Sequence, residues 1–191
     1  HLSVQSGSNT VLKNMNRSYK RDTILEAVQN LRKVKPNCFI ACDVIVGFPG
    51  ETEEDFEDTI NMCKQNDFTW IHVFPFSPRP GTEAYSMKNK VPESIAKDRV
   101  KILTNVGKEN KKRYLTSMIG KEVSAIVEKR RQPNIRAVTE NFIHTIITNS
   151  NDFQGSDLGG KKVILQITEL CNESSQTESP EAYGKITKIQ D

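Results

Sequence analysis

Asp43-Val44-Ile45-Val46-Gly47-Phe48-Pro49-Gly50-Glu51-Thr52-Glu53 decides how this chain reads. The apolar, β-branched start is a buried strand, and Gly47-Phe48-Pro49-Gly50 turns it sharply. Thr52, followed by Glu53, Glu54 and Asp55, opens a helix with acids where its dipole favours them. A tight turn at the carboxyl end of a strand is where α/β folds hold ligands. The glycines admit a flat ligand close to the backbone, and Val46 and Phe48 are candidates to touch its face. Taken alone, the run reads more readily as an ordinary strand–turn–helix joint. Glu51 to Asp55 are read as a solvated cap with no further role.

Outward from this run, the pattern is strand, helix, strand. Ser8 or Asn9 caps a short helix with Val11, Leu12 and Met15 inward. Thr23-x-x-Glu26 is a capping box for a second helix with Ile24, Leu25, Val28, Leu31 and Val34 on one side. A strand over 38–46 follows, then a helix with Phe56, Thr59, Ile60 and Cys63 inward, then a strand from Trp70 to Phe76. Such alternation predicts parallel pairing through right-handed crossovers. A long helix over 93–118 carries Ile95, Ile102, Leu103, Val106, Leu115 and Met118 and stops at Gly120. Beyond it come short strand-like runs, Lys121 to Lys129, Phe142 to Thr148, Lys162 to Leu170 and Gly184 to Ile189, which suggest a small β-barrel. The expected division is 1–119 and 120–191, with a polar, mobile loop over 171–182.

Composition sets bounds. The chain has 191 residues, 36% hydrophobic and 27% charged, and a net charge of +3, too mild to argue for nucleic acid by itself. No apolar run reaches the roughly 18 residues of a membrane span, and no signal pattern opens the chain, so a soluble, cytoplasmic protein is expected. Its abrupt start suggests a piece of a longer polypeptide. Cys38, Cys42, Cys63 and Cys171 are scattered, which argues against a disulfide framework. Cys38 and Cys42 sit in a strand-like run with no third thiol nearby, so they read as packed thiols. No metal ligand set is expected.

Other runs carry candidate chemistry. Gln5-Ser6-Gly7-Ser8 offers an amide and two hydroxyls suited to ribose, or simply a polar turn capping the next helix. Arg17 could hold a carboxylate bidentately, or be a surface arginine. In Ser77-Pro78-Arg79-Pro80-Gly81-Thr82 the prolines present Arg79 stiffly toward phosphate, carboxylate or base, or make a rigid surface loop. His72 reads as a core or lumen histidine. Lys129, Arg130, Arg131 and Arg136 form a compact basic tip for phosphates, or a solvated hairpin.

In order and spacing, His1 to Asn9, Met15-Asn16-Arg17, Asp43 to Glu53 and Ser77 to Thr82 resemble the radical S-adenosylmethionine (SAM) methylthiotransferases that modify tRNA. Residues after Gly120 are similar to the TRAM domain of that family, an OB-like barrel used for RNA. The resemblance implies an α/β fold: a half radical SAM βα barrel followed by a small OB-like antiparallel β-barrel. It implies SAM and two 4Fe-4S clusters in the parent enzyme, with the cluster ligands absent from this chain, which alone should be inactive. Gln5, Ser6, Ser8, Arg17, Val46, Gly47 and Phe48 would face SAM, and Arg79 with the basic tip would face tRNA. Ser3 stands where the family pattern has proline. Gln5-Ser6-Gly7-Ser8 favours tRNA over a ribosomal protein as substrate, and Trp70 to Ser77 resembles the branch acting on threonylcarbamoyladenosine rather than isopentenyladenosine. A half barrel leaves an open edge, so self-association is expected. The alternatives are a non-catalytic RNA-binding module and an enzyme acting on a ribosomal protein.

Overall fold

In the computed structural model, residues 1–129, 134–153, 157–171 and 181–190 are described. The chain divides into two compact units, His1–Lys111 and Lys112–Asp191.

In the first unit, alternation along Ala41–Val46 creates β2: Cys42, Val44 and Val46 are fully buried, while Asp43 and Ile45 face the other way. β2 is the middle of a three-stranded parallel sheet, between β1 (Leu2–Gln5) and β3 (Trp70–Pro75). Helices α1 (Asn9–Asn14), α2 (Arg21–Val34) and α3 (Glu53–Gln65) make the crossovers, and α4 (Glu83–Ser86) and α5 (Glu93–Met118) follow. Val4, Val44, Phe56, Met62, Phe68 and Leu103 lie in the core formed against the sheet.

Several local expectations give way to tertiary contacts. Ser8 caps α1 as expected, accepting the N–H groups of Thr10 and Val11. Thr23 and Glu26 form no capping box, because α2 begins earlier, at Arg21. Its first N–H is held by Asn9 Oδ1 at 2.8 Å, a cap supplied from the preceding helix. Leu31 and Val34 are 44% and 88% exposed, since α2 meets the core only through its earlier turns. Cys38 precedes β2 rather than lying in it, so the two thiols share no strand face. Ile95 and Ile102 are likewise exposed, while Leu103 and Val106 of α5 are buried in this unit's core.

The second unit contains the end of α5 and a closed five-stranded barrel in the order β4-β5-β6-β8-β7, with β7 returning to β4. The strands are β4 (Glu122–Val127), β5 (Arg136–Thr139), β6 (His144–Ile147), β7 (Lys162–Leu170) and β8 (Ala182–Gln190). Four of the five pairings are antiparallel, and β6 and β8 close the ring in parallel. Five strands cannot alternate direction all the way round a closed ring, so one pairing must be parallel. β5 has no counterpart among the strand-like runs of the sequence. Met118, Leu165 and Ile167 fill the interior. Most of the polar 171–182 run lies outside the described residues. Among the described residues, no helix is long and apolar enough to cross a membrane.

Candidate functional site

The carboxyl ends of β1, β2 and β3 emerge on one edge, and a cleft of about 320 Å³ lies there. Asn14, Met15, Asn16 and Arg17 line one side, Ile45, Phe48 and Phe76 give an apolar wall, and Thr82 to Ala84 with Met87 complete it. Arg17 is placed by a Schellman ending of α1: Asn16 adopts φ +55, its N–H reaches Lys13 O, and the Arg17 N–H reaches Leu12 O at 3.0 Å. Phe48 packs edge-on against Phe76, ring centroids 5.1 Å apart.

Of the SAM-facing candidates, the cleft lining brings together Arg17 and Phe48. Val46 has no exposed surface. Strand alternation sends it into the core and puts Ile45 on the cleft, a shift legible by counting twos along the strand. Gln5 is buried at φ +67, an unusual backbone for a residue with a side chain, and local strain of this kind gathers at functional sites. The hydroxyls of Ser6 and Ser8 turn inward. Ser6 Oγ accepts the Ser8 N–H and meets Thr59 Oγ1 at 3.3 Å, and Ser8 Oγ donates to Asp55. Gly7 lies so close to α3 that a Cβ there would stand 2.6 Å from Thr59 Cα.

Of the acids after the turn, Glu53 and Glu54 are exposed in the first turn of α3, whereas Glu51 and Asp55 are buried and are not part of a solvated cap. Glu51 is 5% exposed; its Oε2 accepts the Gly47 N–H at 2.6 Å and Arg99 Nη1 at 2.7 Å. Arg99 Nη2 also donates to Glu53, and its guanidinium lies over the Phe56 ring. Gly47 holds φ +76 with Ala96 packed against it, so α5 clamps the turn through both contacts. Burial pushes the Glu51 carboxyl above its ordinary range, partly opposed by the Gly47 N–H and Arg99. Burial also pushes Asp55 up, but hydrogen bonds from Ser8 and Thr52 outweigh it and hold that carboxyl low. The cap of α3 is thus a box between Thr52 and Asp55 that also grips β1 through Ser8.

Arg79 is exposed and opens a turn with Pro80 and Gly81 (φ +83) at its centre, closed by the Thr82 N–H to Arg79 O. In the barrel, exposed Lys129 lies over Gly160 and Arg136 sits half-buried at the start of β5. Arg130 and Arg131 lie outside the described residues.

The thiols do not suit a cluster. Cys42 is hydrogen-bonded to Cys63 and buried, both of which push its pKa far up and keep it protonated, whereas cluster ligands are thiolates. Cys171 belongs to the other unit.

Comparison with known proteins places residues 1–63 in the radical SAM superfamily. The chain is 52% identical over 143 residues to the threonylcarbamoyladenosine tRNA methylthiotransferase of Treponema pallidum, covering 75% of this chain and 29% of that protein. The Thermotoga maritima protein of the same name is 45% identical over 67% of this chain and 30% of its own length. A tRNA-2-methylthio-N(6)-dimethylallyladenosine synthase of Aliarcobacter butzleri is 36% identical over 93% of this chain and 40% of its own. The chain therefore spans well under half the length of these relatives.

Proposed function

Because this chain belongs to the radical SAM methylthiotransferases, we propose that it supplies the adenosine-holding edge and the RNA-binding barrel of an enzyme that methylthiolates tRNA. The proposed nucleoside is threonylcarbamoyladenosine, the one named for the relatives of 52% and 45% identity. The family uses SAM with iron–sulfur chemistry, and when bound these supply a carbon-centred radical, sulfur and a methyl group. Two clusters, held by residues outside this chain, fit the resemblance. The compartment would be the cytoplasm, where tRNA is modified.

The observation that carries this reading is the cleft, lined by Arg17 and by the apolar Ile45, Phe48 and Phe76 at the ligand edge of a parallel sheet. Arg17 would take the carboxylate of the methionine moiety, and Ile45 with Phe48 the adenine face. Gln5 would meet the ribose, while Ser6, Ser8 and Gly47 shape the backbone around it. Arg79 would contact the RNA entering this edge, and the barrel's basic tip would hold phosphates. Titrating the chain calorimetrically with S-adenosylhomocysteine tests the assignment. Arg17→Ala should weaken binding about tenfold, the loss of one charge-assisted contact of roughly 1.4 kcal/mol. Equal affinity in wild type and a folded Arg17→Ala would remove the cleft from the proposal.

A further inference from the structure

We propose that His1, Asp43 and His72 form a binding site for a divalent first-row transition ion of the zinc or ferrous kind. It lies on the sheet face opposite the core and does not depend on the reading above. Asp43 and His72 are direct partners across β2 and β3, and Leu2 pairs with Cys42, which brings His1 beside them. His1 Nε2 stands 2.8 Å from Asp43 Oδ1, and the His72 ring stacks on His1 with centroids 5.2 Å apart and planes within 7°. One donor atom from each residue lies within 4.8 Å of the other two. Bonds of about 2.0–2.2 Å to a shared ion would set donors roughly 3–3.5 Å apart, a closure that side-chain rotation alone can supply. The ladder of three strands fixes the backbones meanwhile.

Two imidazoles and a carboxylate suit zinc or iron(II), and three ligands leave coordination positions open for water or substrate oxygen. His1 and Asp43 side chains are 50% and 31% exposed, so an ion can enter. It takes the place of the proton between His1 and Asp43. Trp70 Nε1 now donates to His72 Nδ1 at a long 3.3 Å, and His72 must give that contact up to present a nitrogen to the ion. Trp70 is the chain's single tryptophan, and its ring centroid lies 6.0 Å from that of His72, so it reports on the site.

The test titrates the chain, its α-amine acetylated so that only side chains bind, with Zn²⁺ and with Co²⁺ as the spectroscopic stand-in. One equivalent should bind, and Co²⁺ should quench Trp70 fluorescence. Of the three histidine ring signals in the nuclear magnetic resonance spectrum, those of His1 and His72 should shift while His144 does not. Asp43→Asn and His72→Gln should each lower affinity tenfold or more. Absence of binding, a shift of His144 alone, or unchanged affinity in either folded variant would overturn the site. The ring signals are read on unsubstituted protein, so they decide for or against the site even where a variant fails to fold.

Discussion

Asp55 shows how much one side chain can organise. Its carboxylate accepts Thr52 N–H and Thr52 Oγ–H at the start of α3, and Ser8 Oγ–H from the turn after β1. Two segments nearly fifty residues apart thereby share one anion. Hydrogen bonds to a buried charge contribute about 1.5–3 kcal/mol, so Asp55→Ala should destabilise the first unit by roughly 3 kcal/mol in urea denaturation. The folded pKa of Asp55 is depressed. Its stabilisation is therefore whole above the ordinary carboxylate range and is lost as pH falls through the folded value. Urea midpoints of wild type and Asp55→Ala should converge on acidification; parallel curves would show that the carboxylate is not what holds the turn. The acidic run Glu53-Glu54-Asp55 signals a cap from sequence, but the grip on Ser8 needs the fold.

At the scale of elements, the turn after β2 is set by α5, a helix that begins only at Glu93. Glu51 and Arg99 form a buried pair, and among the described residues Glu51 Oε1 and Arg99 Nε have no hydrogen-bond partner, so the pair is an incompletely satisfied buried network. Breaking one partner of such a pair costs about 3–5 kcal/mol, because a lone charge stays buried. Glu51→Gln and Arg99→Met should each cost about that much, and the double variant should recover a large part, which a double-mutant cycle in urea would measure. Additive losses would show that the two side chains act separately. Because burial raises the Glu51 pKa, its contribution is fullest below the ordinary glutamate value and declines as pH rises toward the folded one. That slope should vanish in Glu51→Gln. The helix and strand types of β2, α3 and α5 are legible from periodicity. The start of α2 is not, because its cap comes from Asn9 rather than from Thr23.

For the whole molecule, two surfaces follow from architecture. β1 and β3 are the outer strands of the three-stranded sheet, each with a strand partner on one side only among the described residues. We expect concentration-dependent self-association of this chain by light scattering; a strict monomer across the range would contradict it. The closed barrel has no such edge, and its expected partner is RNA through Lys129, Arg130, Arg131 and Arg136. Arg130→Ala with Arg131→Ala should lower the slope of log affinity for tRNA against log salt by about 2, one per phosphate contact. An unchanged slope in the folded double variant would place the RNA elsewhere.

What sequence alone determined is whatever depends on neighbours along the chain. Strand alternation marks β2, Ser8 and Thr52 mark helix starts, and Gly120 marks a stop, since caps and pleats act within a few residues. The motif runs sufficed to identify the family. Tertiary structure decided what depends on residues distant in sequence. Ser6 and Ser8 turn inward toward α3, and Glu51 is buried against Arg99. His1, Asp43 and His72 meet only because the parallel strands bring their side chains together on one face of the sheet. In each of these cases the deciding contact joins residues far apart along the chain, where local propensity carries no information about which groups will meet.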